Sequence, residues 1–186
     1  MGPVSLSNNG LAVFDANGDQ RADFLWTFVD TFGNRAVHIN YGGYDFESRF
    51  KAGPDFIVPA PPGSDFGNEI TGADMNGDSE NDLIIAGQFT GQGNGIVFVY
   101  TAGKALDDRF DAARGQSREG AFGASVNRVG DINKDGFDDI IIGAPNQPWT
   151  RYEGYYGIFL GDSRIPTNVE NQRTEKTPRD FTLTSA

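Results

Sequence analysis

The chain has no cysteine and a single histidine, His38, in 186 residues. Disulfides, thiolate zinc sites and a cysteine nucleophile are therefore excluded. Basic residues are scarce as well: 15 Lys and Arg stand against 26 Asp and Glu, giving a net charge of −11. Binding to nucleic acid needs clustered Lys and Arg, and an anionic membrane surface needs the same, so neither is an expected partner. No apolar run reaches the roughly 18 residues of a spanning helix, and no membrane insertion is expected. The opening MGPVSL lacks the basic-then-apolar order of a secretory signal. No N-x-[ST] acceptor and no G-x-S-x-G nucleophile motif occur. Helical periodicity is never sustained, and the best candidate, residues 103–115, is short and ends in glycine.

Many short apolar runs are present, separated by turn residues that include 25 glycines. That pattern predicts an all-β protein. Three stretches share one spacing, D-x-N-x-D-x-x-x-D followed by apolar residues: DANGDQRADFLW at 15–26, DMNGDSENDLII at 74–85 and DINKDGFDDIII at 131–142. Their starts, Asp15, Asp74 and Asp131, lie 59 and 57 residues apart, a near-constant step that marks a repeat architecture. Each stretch runs into a strand (23–29, 82–87, 139–145). A glycine-bearing connection and a further strand follow (35–41, 95–100, 155–161), and later runs such as 55–60 or 180–186 supply a fourth. One unit is thus the size of a four-stranded propeller blade. The predicted fold is a single β-propeller segment over 1–186, with blades at about 8–60, 61–118 and 119–186. Within RAVHINY, Val37, Ile39 and Tyr41 share one face, and Ala36, His38 and Asn40 share the other.

The repeated loops predict calcium sites. In the third, Asp131, Asn133 and Asp135 alternate and can turn three oxygens inward. Phe137 at position 7 offers its backbone carbonyl, Asp139 at position 9 completes the set, and Gly136 at position 6 permits a sharp turn. The corresponding donors are Asp15, Asn17, Asp19, Arg21 and Asp23 in the first loop, and Asp74, Asn76, Asp78, Glu80 and Asp82 in the second, with Arg21 and Glu80 acting through their carbonyls. All are hard oxygens, which suit Ca²⁺ rather than zinc or copper. About three ions, one per repeat, are expected. An EF-hand would need a Glu at position 12 and flanking helices. Trp26, Ile85 and Ile142 stand there instead, within strand-forming runs. Extracellular calcium modules bind at roughly 10⁻⁴–10⁻³ M, so an extracellular or cell-surface location is expected.

The third unit, FGASVNRVGDINKDGFDDIIIGAP at 122–145, resembles an FG-GAP repeat of the integrin α-subunit type. It carries Phe122-Gly123, the acidic loop and Gly143-Ala144-Pro145. The second unit keeps Phe66-Gly67 and the loop but has AGQ at 86–88; the first keeps only the loop and its strand. The resemblance implies a propeller with Ca²⁺ in hairpins on one face and ligands engaged on the other. It also implies more blades than three, so the chain is expected to be the remainder of a longer propeller or a homo-oligomer closing a ring head-to-tail.

The connections between second and third strands should lie opposite the acidic loops. The longest, 146–154, carries Trp149, Arg151 and Tyr152, residue types enriched at binding hot spots. A protein or glycan ligand is expected there; packing on a neighbouring blade is the alternative. His38 within a strand reads as structural, and most patterned carboxylates are committed to the loops. The expected function is non-catalytic adhesion or recognition. A propeller lectin and a calcium-dependent polysaccharide lyase are the alternatives.

Overall fold

The computed structural model describes residues 10–61, 64–88, 94–101, 112–120, 122–145, 155–163 and 180–181. These form three four-stranded antiparallel sheets, as a partial β-propeller requires. Sheet 1 holds β1 (Leu11–Phe14), β2 (Asp23–Val29), β3 (Arg35–Asn40) and β4 (Phe56–Pro59) in sequence order. Sheet 2 holds β5 (Glu69–Ala73), β6 (Asp82–Gln88), β7 (Asn94–Tyr100) and β8 (Ala112–Gly120). Sheet 3 holds β9 (Ser125–Gly130), β10 (Asp139–Ala144), β11 (Tyr155–Phe159) and β12 (Asp180–Phe181). Each acidic loop joins the first and second strands of its sheet.

Period-two alternation sorts side chains into two cores. The first joins Leu25, Val37, Ile39 and Val58 of sheet 1 to Phe66, Ile70, Leu83, Ile85, Phe98 and Tyr100 of the second unit. The second joins Ile84, Ala86, Val97 and Val99 of sheet 2 to Phe122, Val126, Ile140, Ile142 and Phe159 of the third unit. Leu83 and Ile85 thus face one way, and Ile84 and Ala86 the other. That is why this strand reads as uniformly apolar in the sequence.

A Phe-Gly pair keys each junction. Phe66 and Phe122 are fully buried. Gly67 and Gly123 adopt left-handed φ values of 82° and 81°, where glycine carries no steric penalty. Their N–H groups donate to the second strand of their own sheet, Gly67 to Ala86 O (2.9 Å) and Gly123 to Gly143 O (3.1 Å). The first key's carbonyls face the preceding sheet: Arg35 Nε donates to Phe66 O (2.7 Å), and Thr27 Oγ1 and the Gly10 N–H donate to Gly67 O (2.6 and 2.7 Å). At the second junction Gly95 lies so close to Phe122 O that no side chain fits.

The outer faces of the first and third sheets are less covered. Leu11 and Val13 are each 63% exposed on the first, and Ile132 and Tyr156 are 48% and 43% exposed in the third unit. Part of the first outer face is covered by α1 (Phe46–Ala52), through an edge-on contact of Phe50 with Phe24 at 5.7 Å. Arg49 fastens this helix to Tyr41 O and Asp55. The helical candidate at 103–115 does not hold over its end, since 112–115 lie in β8. Main-chain pairing with β7 over Val97–Val99 and Arg114–Ala112 decides that conformation; local propensity does not.

His38 lies on the mixed face as expected, stacked on Phe28 at 4.7 Å and edge-on to Trp26 at 4.9 Å. Its Nδ1 is buried without a hydrogen-bond partner, and burial pushes its pKa below the ordinary 6.5. The unfolded chain takes up this proton near pH 6.5, but the folded chain does so only at lower pH. Its contribution is therefore intact above that value and declines as pH falls through the window. The urea midpoint should drop between pH 7.5 and 5.5 by more in the native chain than in His38→Phe. Parallel pH dependence in the two would remove this assignment.

Candidate metal centre

The three acidic loops share one conformation. The position-1 carboxylate accepts the position-6 N–H through Oδ2: Gln20 to Asp15 at 2.6 Å, Ser79 to Asp74 at 2.9 Å and Gly136 to Asp131 at 2.9 Å. Its Oδ1 accepts the position-5 N–H of Asp19, Asp78 and Asp135 at 3.2, 3.1 and 3.1 Å. The position-3 Asn17, Asn76 and Asn133 Oδ1 atoms accept that same N–H at 3.0, 2.9 and 3.1 Å. The oxygens of positions 1 and 3 therefore converge on one backbone amide, that of position 5. Asp19, Asp78 and Asp135 Oδ1 accept the N–H of Arg21, Glu80 and Phe137.

Such winding needs left-handed residues at positions 4 and 6. Gly18, Gly77 and Lys134 have φ of 73°, 79° and 61°; Gln20, Ser79 and Gly136 have 65°, 71° and 96°. Glycine at position 6 is thus dispensable for this turn. The lattice of side-chain-to-backbone bonds holds Gln20 and Ser79 in a region non-glycine residues enter infrequently.

Position 9 has a structural role that the sequence pattern did not disclose. Asp23, Asp82 and Asp139 are fully buried. Their Oδ2 atoms accept the position-2 N–H of Ala16, Met75 and Ile132 at 2.8, 2.9 and 2.9 Å. Asp23 and Asp139 also tie the chain beyond the third strand, through Gly42 N–H (2.8 Å) and Gly161 N–H (3.0 Å). Burial pushes the Asp23 carboxyl up, the Gly42 and Ala16 N–H groups pull it down, and the Asp19 and Asp15 charges push it up again.

The donor chemistry fits a hard dication. Every side-chain candidate is a carboxylate or amide oxygen, and the local negative charge gains from neutralisation. Among the described residues, no three His, Cys, Asp or Glu side chains converge into a metal-holding group. The position-5 and position-9 carboxylates are turned to backbone N–H groups. Trp149, Arg151 and Tyr152 lie outside the described residues.

Neighbouring loops touch, and sequence reasoning missed this. The position-7 side chains of one loop sit against the position-4 glycine of the loop before. A Cβ on Gly18 would lie 2.6 Å from Glu80 Oε1, and one on Gly77 would lie 2.6 Å from Phe137 Cε1. Position 8 reaches the preceding position 1: Asn81 Nδ2 donates to Asp15 O (3.1 Å), and Asp138 both donates its N–H to Asp74 O (2.8 Å) and accepts the Asp74 N–H at Oδ2 (2.9 Å). Glycine at position 4 in the first two loops, against Lys134 in the third, was the available signal.

The FG-GAP repeat family matches residues 122–157. Integrin alpha-4 of Xenopus laevis is 37% identical over 118 residues, covering 61% of this chain and 11% of that protein. Integrin alpha-PS3 of Drosophila melanogaster is 33% identical over 148 residues, covering 71% and 13%. Integrin alpha-PS5 of the same organism is 29% identical over 184 residues, covering 91% and 18%. The chain therefore spans between about a tenth and a fifth of these relatives' length. With the Phe-Gly keys, the acidic hairpins and three stacked four-stranded sheets, this chain is an integrin-like FG-GAP propeller segment.

Proposed function

We propose that this chain is a calcium-binding propeller module of an extracellular or cell-surface adhesion or recognition protein, without catalytic activity. The observation that supports it best is the threefold recurrence of one loop conformation on one oxygen-only donor set. Asp15, Asn17 and Asp19, with their counterparts Asp74, Asn76, Asp78 and Asp131, Asn133, Asp135, are assigned as side-chain ligands. The Arg21, Glu80 and Phe137 carbonyls and the position-9 carboxylates complete each set. A bound dication would neutralise charge at the hairpin; the chain's own residues supply the turn and hold its oxygens together. No helix among the described residues is long and apolar enough to cross a membrane.

Calcium at about ten times Kd stabilises a single-site protein by about 1.4 kcal/mol, and occupied sites add. Millimolar Ca²⁺ should therefore raise the thermal midpoint by several degrees over a chelator control. Asp19→Ala, Asp78→Ala and Asp135→Ala combined should abolish that rise. A midpoint indifferent to Ca²⁺ in the native chain would overturn the assignment. The exposed apolar residues of the two outer faces support further blades there, from a longer chain or a second copy, and mass in solution by light scattering separates these. The connection carrying Trp149, Arg151 and Tyr152 is proposed as the contact for a protein or glycan ligand.

A further inference from the structure

The contacts between successive loops carry an inference that rests on the calcium reading and extends it. Each junction joins two groups that the cation would engage. Asn81 is flanked by Glu80, whose carbonyl is an assigned ligand, and by Asp82, an assigned ligand itself. Its Nδ2 holds the main-chain carbonyl of Asp15, the first ligand of the preceding loop, at 3.1 Å. Asp138 stands in the same place between Phe137 and Asp139. It holds both main-chain groups of Asp74 and is itself anchored by Arg128 Nε at 2.8 Å. Position 7 adds packing, because Glu80 and Phe137 occupy the space that a Cβ on Gly18 or Gly77 would need. Met75 O, the next carbonyl along the second loop, also accepts the Asp162 N–H of the third unit at 2.8 Å.

We infer that Asn81 and Asp138 are positioning residues that couple neighbouring loops, so that cation binding at one loop strengthens binding at its neighbour. Neither side chain belongs to the assigned ligand set. Each connects the closing half of one loop (positions 7–9) to the opening residue of the loop before it. Ordering the closing half orders that residue, and the reverse holds by linkage. In the third loop Lys134 stands at the position that Gly18 and Gly77 hold in the first two.

The position-6 amides of Gln20, Ser79 and Gly136 are equivalent reporters, since each donates to its loop's first carboxylate. Titrating Ca²⁺ while following these three resonances by NMR gives one midpoint per loop. Disabling the second loop with Asp78→Ala should weaken the midpoint at Gln20 by about fivefold or more. In an Asn81→Ala background the same change should leave Gln20 unmoved. Asn81→Leu, which is close in size and can neither donate nor accept a hydrogen bond, is run in parallel in case the alanine variant fails to fold. Asp135→Ala read at Ser79 tests the second junction. A Gln20 midpoint indifferent to Asp78→Ala, or one that shifts equally with and without the Asn81 donor, overturns the coupling while leaving calcium binding intact. If none of the three amides responds to Ca²⁺ in the native chain, the calcium reading itself fails and the coupling with it.

Discussion

Phe122→Ala should destabilise the chain by about 3–5 kcal/mol, the usual range for deleting a buried aromatic ring. The ring is fully buried between sheets 2 and 3 and meets Phe159 edge-on at 5.9 Å. Its loss removes apolar area from both sides of one junction and leaves a cavity there. Stacked repeats draw much of their stability from nearest-neighbour interfaces. Urea unfolding should therefore both weaken and broaden, with sheet 3 melting before the others. Phe66→Ala should do the same at the first junction, where the ring lies against Phe98 and Tyr100 at 5.6 and 6.3 Å. Phe32→Ala, 89% exposed, is the control and should change little. A single sharp transition with an unchanged midpoint in Phe122→Ala would refute the key's role.

The second large effect concerns position 9. Asp23→Ala should cost about 3 kcal/mol or more even with calcium chelated. It leaves two buried N–H groups, those of Ala16 and Gly42, without acceptors, and each orphaned group costs about 1–3 kcal/mol. Asp19→Ala should cost little under the same chelated conditions, because Asp19 N–H keeps its acceptors on Asp15 and Asn17 and the side chain lies at the loop surface. With calcium added both variants should lose the cation's stabilisation at that loop, since both residues are assigned ligands, and Asp23→Ala should keep its additional structural cost. Denaturant titration of both variants, with and without Ca²⁺, checks this. Equal losses in chelator would mean that position 9 is no structural clamp.

Much of this molecule is readable from spacing. The three acidic stretches, the strands they introduce and the opposed faces of Val37 and His38 all follow from period-two alternation and turn chemistry, because a strand's two faces are fixed by covalent geometry alone. The Phe-Gly pairs were visible as a recurrent signal, although their use as keys between sheets was not. Other features were hidden for physical reasons. The helix over Phe46–Ala52 is seven residues long and contains no buried residue, too short to hold itself. It exists through Phe24, Tyr41 and Asp55 of its own unit. The strand Ala112–Gly120 carries a largely polar sequence and is fixed by pairing with its neighbour.

Glycine at position 4 illustrates the division most clearly. Lys134 shows that the turn tolerates a side chain, so the glycines at 18 and 77 answer to the next loop in the row as well as to their own left-handed backbone. Sequence alone determined which residues can form hairpins, which faces are apolar and where oxygen donors cluster, since these depend on neighbours along the chain. The tertiary structure decided which residues join one blade to the next: Phe66 and Phe122 in the cores, Asn81 and Asp138 at the loops. Those contacts span 64 and 66 residues at the loops, and no local pattern encodes a partner that only stacking brings within reach.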